Sequence, residues 1–218
     1  MIDPLFICIL YSFSMDTKEI KNIIFDLGGV IINLSVSATV TAFAKASGKP
    51  TEEIAALVNS QEFMNYEKGL ITDGEFRDHI RQALDWYATD SQVDQSWNAM
   101  LLDIPFERLT LLERLKTSHR IFLLSNTNEI HLKQFNQILF EQTGKKAMDD
   151  YFHQAYYSHR MKMRKPDVEI FEYVLNQHQL NPSETLFLDD NLSNLKGAAQ
   201  ASIQTFHVQT PDLIFSLF

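Results

Sequence analysis

The sequence predicts an α/β protein: a central parallel β-sheet with a helical insertion behind its first strand. From Asn22 onward, short apolar runs alternate with longer segments of helical period, which is the pattern of βαβ units. The runs are rich in branched and aromatic residues, as strands are. About ninety residues separate the first two runs, where a βα unit needs only about thirty, so a further unit is inserted there. At 218 residues, 45% hydrophobic and 22% charged, the chain is long enough for a core with a small inserted unit. It is too short for two full-sized independent domains.

In chain order, residues 4–13 (PLFICILYSF) are apolar but too short to cross a bilayer, and they lack the positive region and cleavage site of a signal peptide. Met15 opens a charged turn leading straight into the first strand, so translation is expected to start there, with residues 1–14 an extension that has no role in the fold. Strands are expected at 23–25, 121–125, 155–158, 186–189 and 205–208. In the insertion, 35–47, 51–64, 72–86 and 91–102 read as four helices. Thr72 with Glu75 forms a capping box, and Gly48-Lys49-Pro50 and Gly69 are stop signals. Phe63, Phe76, Trp86 and Trp97 are the expected core of this helical cap. Residues 106–118 place Leu109, Leu112 and Leu115 on one stripe, and 168–179 do the same with Ile170, Phe171, Val174 and Leu175. The division that follows is a core of 15–33 and 104–218 and a cap of 34–103, with hinges near Asn33 and 103–105. The terminal PDLIFSLF reads as a short docking helix, or, if exposed, as a self-association segment.

Nineteen Lys and Arg against 28 Asp and Glu leave a net charge of -9 and no long basic run, which argues against nucleic acid and anionic membrane as partners. The single cysteine, Cys8, cannot form an intrachain disulfide, and no Cys/His cluster has zinc spacing, so a reducing, cytoplasmic setting is expected. The seven histidines show no metal-binding spacing and read as surface or satisfied groups. His131 is the one nearest in sequence to the chemistry below.

Four segments carry that chemistry. In IIFDLGGVI, Asp26 ends the first strand and projects into the crevice at the carboxyl edge of the sheet, while Gly28 and Gly29 let backbone approach a ligand. The plainer alternative is an aspartate capping a glycine turn. LFLDDN sets Asp189 and Asp190 at the same edge, and Mg2+ would relieve the repulsion among the acids, with Asp26, the Gly28 carbonyl and Asp190 as ligands. Otherwise the pair simply caps the next helix. LLSNTN offers the Ser125 hydroxyl, the Asn126 side chain and backbone amides to a phosphoryl group, or is an ordinary helix cap. In MKMRKPDVEIF, Lys165 precedes Pro166 at a helix start and is free to face the crevice, or else is solvated. In the insertion, NYEKGLITDGEF either dips toward the crevice and reads a substrate through Tyr66, Glu67 or Lys68, or is a helix end followed by a capped start.

In this order the segments FDLGGV, LLSNTN, RKPDVEIF and LFLDDN resemble the four motifs of the haloacid dehalogenase-like (HAD) superfamily, over the chain from about Asn22 to its end. The helical insertion resembles the cap of that family's C1 subgroup, and the motifs are most similar to those of a subgroup of sugar-phosphate phosphatases. The resemblance implies a Rossmann-like core and a Mg2+-dependent phosphatase of a small phosphorylated metabolite, monomeric or homodimeric. Asp26 would be the nucleophile that forms an aspartyl-phosphate, and Mg2+ would sit between Asp26 and Asp190. Ser125, Asn126 and Thr127 would hold the phosphoryl oxygens, Lys165 would neutralise Asp26 and the phosphoryl group, and Asp189 would orient a metal-bound water or Lys165.

One position departs from the pattern. Most phosphatases of the superfamily carry a second aspartate two residues after the nucleophile, where this chain has Gly28. General acid help is worth about 10²–10⁴-fold, so its loss weighs most on basic leaving groups. A preference for sugar 1-phosphates, acyl or aryl phosphates over primary alkyl phosphates is therefore expected. The same glycine would suit a phospho-ligand sensor without turnover, although Asp26 and Lys165 are retained. A dehalogenase would use the same aspartate on carbon without Mg2+, but an acid pair makes most sense with a metal to bind.

Overall fold

The structure is a computed structural model that describes residues 19–218. The expected extension 1–14, the start at Met15 and Cys8 lie outside the described residues. Five strands, β1 (Asn22–Phe25), β2 (Arg120–Ser125), β3 (Gln154–Tyr157), β4 (Thr185–Asp189) and β5 (Gln204–His207), form one parallel sheet in the order β3-β2-β1-β4-β5. β1 lies in the centre, with Phe25 in register with Leu123 on one side and Leu188 on the other. A parallel sheet needs cover on both faces, which explains why NIIF, RIFLLS and TLFLD are almost unbroken apolar runs.

Side chains alternate between those two faces. Ile23, Phe25 and Leu123 pack with Leu112 and Leu139 on one, while Ile24, Phe122 and Phe187 pack with Phe171 and Val174 on the other. Each such fully buried side chain contributes about 1.5–3 kcal/mol. The first face also receives Ile214 of the chain end, so PDLIFSLF docks as expected, as a short 3₁₀ turn over Pro211–Ser216.

Between β1 and β2 lie α1 (Val36–Ser47), α2 (Thr51–Val58), α3 (Gln61–Glu67), α4 (Asp73–Leu84), α5 (Asp90–Asn98) and α6 (Phe106–Ser118). The first five form the insertion, one helix more than the sequence suggests. The expected helix at 51–64 breaks at Asn59-Ser60, where Asn59 turns its side-chain amide back onto the Ala55 carbonyl (2.8 Å) and Ser60 starts α3. Asn and Ser compete with helical backbone hydrogen bonds, and here that local preference prevails. Ser35 starts α1, Thr72 closes the expected capping box with Glu75, and Thr89 closes a second one with Gln92, one residue ahead of the expected start of that helix at 91. Phe63, Phe76 and Trp97 form the insertion's core with Phe43 and Ile80, and Trp86 is only partly buried against it.

The two crossings into and out of the insertion run side by side. Leu34 and Leu101 form an antiparallel bridge, Asn33 donates to the Asp103 carbonyl from its backbone N–H and to Asp103 Oδ1 from its side-chain amide, and Arg108 Nη1 donates to Asn33 Oδ1 (2.9 Å). After β2 come α7 (Glu129–Thr143), α8 (Ser158–Met161), α9 (Val168–His178) and α10 (Leu192–Gln200). Ile130 of α7 belongs to the core of the insertion, so α7 joins both parts of the molecule. No helix among the described residues is long and apolar enough to cross a membrane.

Candidate active site

The carboxyl ends of β1, β2 and β4 lie side by side, and the residues that follow them meet at one place. Asp26 follows β1, with its N–H bonded to the Leu188 carbonyl of β4 (2.8 Å). Lys165 reaches this point from the loop before α9, with its side chain only 1% exposed. Its Nζ donates to Asp26 Oδ1 (2.7 Å) and Asp189 Oδ2 (2.8 Å) and lies 5.2 Å from the Phe187 ring centre. Burial works against the lysine's charge, but Asp189 and Asp26 more than offset it and raise its pKa. Burial pushes the Asp26 carboxyl up to about 7, against the pull of Lys165. No amide of the glycine turn donates to Asp26 among the described residues, so it does not cap that turn.

Asp189 is fully buried, and its two oxygens are taken up by the protein. Oδ1 accepts from the Asn191 N–H (2.7 Å), Oδ2 from Lys165, and the Asn194 amide lies 3.1 and 3.0 Å from the two. Asp190 differs: its carboxylate takes no hydrogen bond from another described residue, and burial followed by Asp189 raises its pKa. Neither acid caps α10, which is capped by Asn191. Gly29 has φ +71, and a Cβ there would overlap Asp190 Oδ2, so this glycine gives the carboxylate its place.

These groups suit a hard divalent cation. One carboxylate oxygen each from Asp26, Asp189 and Asp190 lie within 4.8 Å of one another, and a single lysine is too little charge for three acids. Asp26 Oδ2, the Asp190 carboxylate and the Gly28 carbonyl take no hydrogen bonds from other described residues, whereas the Asp189 oxygens are already occupied. The donor set open to a cation is therefore Asp26, Gly28 and Asp190, with Asp189 holding Lys165 from behind.

The β2 edge departs from expectation at one residue. The sequence places the Asn126 side chain among the phosphoryl ligands, but here it pairs with the Lys165 backbone in both directions, Nδ2 to the carbonyl and Oδ1 from the N–H, each at 2.9 Å. Its amide fixes the lysine instead. The Thr127 N–H donates to Ser158 Oγ (2.9 Å). Ser125, Asn126 and Thr127 all line the same cavity as Asp26 and Lys165, and they are not the helix cap, because Asn128 caps α7. The peptide bond between Lys165 and Pro166 is cis.

The cavity has a volume of about 390 Å³, within the range of small-molecule sites. Its floor is the polar group just described, and its wall comes largely from the insertion and its entry segment, including Leu34, Val58, Met64, Trp97 and Met100. Of the residues in NYEKGLITDGEF, Glu67 alone lines it. Tyr66 stacks on Phe76 (4.1 Å) and donates to Asp73, Lys68 pairs with Asp167 (2.9 Å), and Thr72 caps α4. His131 lines the cavity too, but both ring nitrogens are held, Nε2 by the Trp97 carbonyl and Nδ1 by the Asn128 amide, each at 3.2 Å. Burial pushes its pKa down to about 4, so it stands neutral and satisfied. Arg164 and Asn59 are lining residues that the sequence did not single out. Arg164 stood inside the quoted RKPDVEIF, and its place beside the lysine was the available signal.

Known proteins resemble this chain in sequence and fold. A model described as haloacid dehalogenase-like hydrolase matches residues 20–202. The chain is 30% identical over 188 residues to a D-ribitol-5-phosphate phosphatase of Bacteroides thetaiotaomicron, spanning 86% of this chain and 91% of that protein. It is also similar to the crystal structure of a HAD-family enzyme from the same organism, a complex with magnesium and inorganic phosphate. That match has TM-score 0.79 and 40% identity and covers 86% and 93% of the two chains. A HAD-like hydrolase structure from Porphyromonas gingivalis matches with TM-score 0.79 at 28% identity, covering 87% and 91%.

Proposed function

Because the chain belongs to the haloacid dehalogenase-like hydrolase family, we propose that it is a Mg2+-dependent phosphatase acting on a small phosphorylated metabolite, with Asp26 as the nucleophile. The observation that carries this reading is the placement of Asp26: a buried carboxylate on the cavity floor, one oxygen on Lys165 and the other open, with Asp190 beside it. The two Bacteroides proteins support it, one named as a phosphatase and the other crystallised with magnesium and phosphate.

The Asp26 carboxylate attacks phosphorus, the bond to the leaving oxygen breaks as that oxygen takes a proton from water, and an aspartyl-phosphate forms. Water then attacks that phosphorus, inorganic phosphate leaves, and the Asp26 carboxylate is regenerated. Lys165 neutralises Asp26 and the incoming phosphoryl charge, and it is held for this by Asp189 at its tip and Asn126 at its backbone. The Ser125 hydroxyl and the Asn126 N–H, which have no protein partners among the described residues, hold phosphoryl oxygens. Mg2+ on Asp26, the Gly28 carbonyl and Asp190 would supply charge neutralisation between carboxylate and phosphate. The helical insertion is the cap over this floor.

The test is phosphate release from a panel of phosphomonoesters, with Mg2+ or with chelator, by the native protein and by Asp26→Asn. Turnover that needs Mg2+ and disappears in Asp26→Asn is expected. Release that persists in the variant would overturn the nucleophile assignment, and no release by the native protein on any ester would favour a phospho-ligand sensor.

A further inference from the structure

Resting on the phosphatase reading, we propose that Glu67 and Arg164 form a subsite for hydroxyls of the leaving group, so that the substrate is the phosphomonoester of a polyol or sugar rather than of an apolar alcohol. Glu67 ends α3 of the insertion, and Arg164 directly precedes Lys165. Both line the cavity that holds Asp26.

Their pairing is lopsided. Arg164 Nη2 and Nε both donate to the same oxygen, Glu67 Oε2, at 2.7 and 3.1 Å. A guanidinium and a carboxylate left to themselves favour two parallel bonds to two oxygens. Here Glu67 Oε1 and Arg164 Nη1 have no partner among the described residues. The pair thus keeps an open acceptor and an open donor on fixed side chains, which complement hydroxyls, each of which donates and accepts. The side chains are 26% and 23% exposed, enough shelter for such bonds to discriminate.

The pair is not needed to hold the insertion in place. Ser158 Oγ donates to the Glu67 carbonyl (2.6 Å), Lys68 pairs with Asp167, and Lys162 Nζ donates to the Gly69 carbonyl. Gly69 itself, at φ +62, lies so close to the His159 carbonyl that a Cβ would overlap it. The segment 67–69 is thus tied to 158–167 without the Glu67 carboxylate. Leu34, Met64, Trp97 and Met100 elsewhere on the wall accept a carbon chain but no hydroxyls, so Glu67 and Arg164, with Asn59, form the polar edge available to them.

The experiment measures kcat and KM for ribitol 5-phosphate and n-pentyl phosphate, whose leaving groups are both primary, with Mg2+. The proteins are the native chain, Glu67→Ala, the double variant Glu67→Met/Arg164→Met, and Lys68→Met. The native protein is expected to favour the polyol ester at least tenfold in kcat/KM. Both subsite variants are expected to raise KM for that ester at least tenfold, with kcat and the pentyl ester changed less than threefold. Lys68→Met, which breaks a tie of the same segment, should spare the preference. Equal losses on both esters would reduce the pair to a structural tie and overturn the proposal, as would a native protein without the preference, a comparison that stands even if a variant fails to fold. Turnover of neither ester, nor of any other phosphomonoester, by the native protein would instead overturn the phosphatase reading, and this inference with it.

Discussion

Lys165 is a cation with almost no water around it, ion-paired among the described residues with Asp26 and Asp189. Removing it strands two acids in a dry site, a change that costs about 3–5 kcal/mol. In chelator at pH 8, urea unfolding of Lys165→Met is therefore expected to show that loss, and phosphate release should vanish where the variant folds; an unchanged midpoint would contradict the account. Gly28 makes a different point. A Cβ there would overlap the Leu34 side chain, so the position two residues after Asp26 is backed by an apolar group and offers no proton. Glucose 1-phosphate, with its more acidic anomeric leaving oxygen, is expected to react at least tenfold faster than glucose 6-phosphate, and steady-state rates in the reverse order would refute this. Asp26, Lys165, Asp189 and Asp190 were legible in the sequence because each stands where a strand ends or a helix begins. The service of Asn126 to Lys165 was not, because that bond spans 39 residues and appears only once β2 and the α9 loop are adjacent.

At the level of elements, α5 and α7 meet through Trp97 and His131, whose rings stack at 4.3 Å. His131 is buried and neutral, with its pKa lowered from 6.5 to about 4 by burial. Above pH 6.5 it is neutral folded or unfolded and adds no pH dependence. As pH falls from 6.5 towards 4 the unfolded chain takes up a proton that the folded chain refuses, so stability falls by up to ~3 kcal/mol. Urea midpoints at pH 7.5 and 4.5 should show a smaller decline for His131→Gln than for the native protein; equal declines would show that other groups carry the effect. The strands were readable to within a residue or so at each end, most plainly β1, β2 and β4, which two-sided burial makes continuous apolar runs, and the start of α4 was readable from the capping box of Thr72 and Glu75. The break at Asn59-Ser60 was hidden because Ile54, Leu57 and Phe63 keep an apolar period across it. That break brings Val58, Asn59, Phe63 and Met64 to the cavity wall.

For the whole molecule, the proposed catalytic groups and the wall of their cavity come from different parts of the chain. The floor is built from the carboxyl ends of β1, β2 and β4 and the loop before α9, each carrying one short local motif, so sequence reading reached it. The wall depends on how five helices settle over that edge, and no local pattern encodes this. The paired crossings at Leu34 and Leu101 carry a consequence for how such a chain can change over time. Because entry and exit are already neighbours, the sheet meets the insertion as it would a tight turn. Doubling the length between them adds only about 0.6 kcal/mol of closure entropy. A short turn joining 34 to 101 is expected to leave a protein with the far-ultraviolet spectrum of a folded α/β chain, weakened where Ile130 and His131 lose their cover. Lineages can thus lengthen, trim or exchange what lies beyond this gateway and so acquire new leaving groups, while the aspartate, the lysine and the acid pair behind it stay as they are.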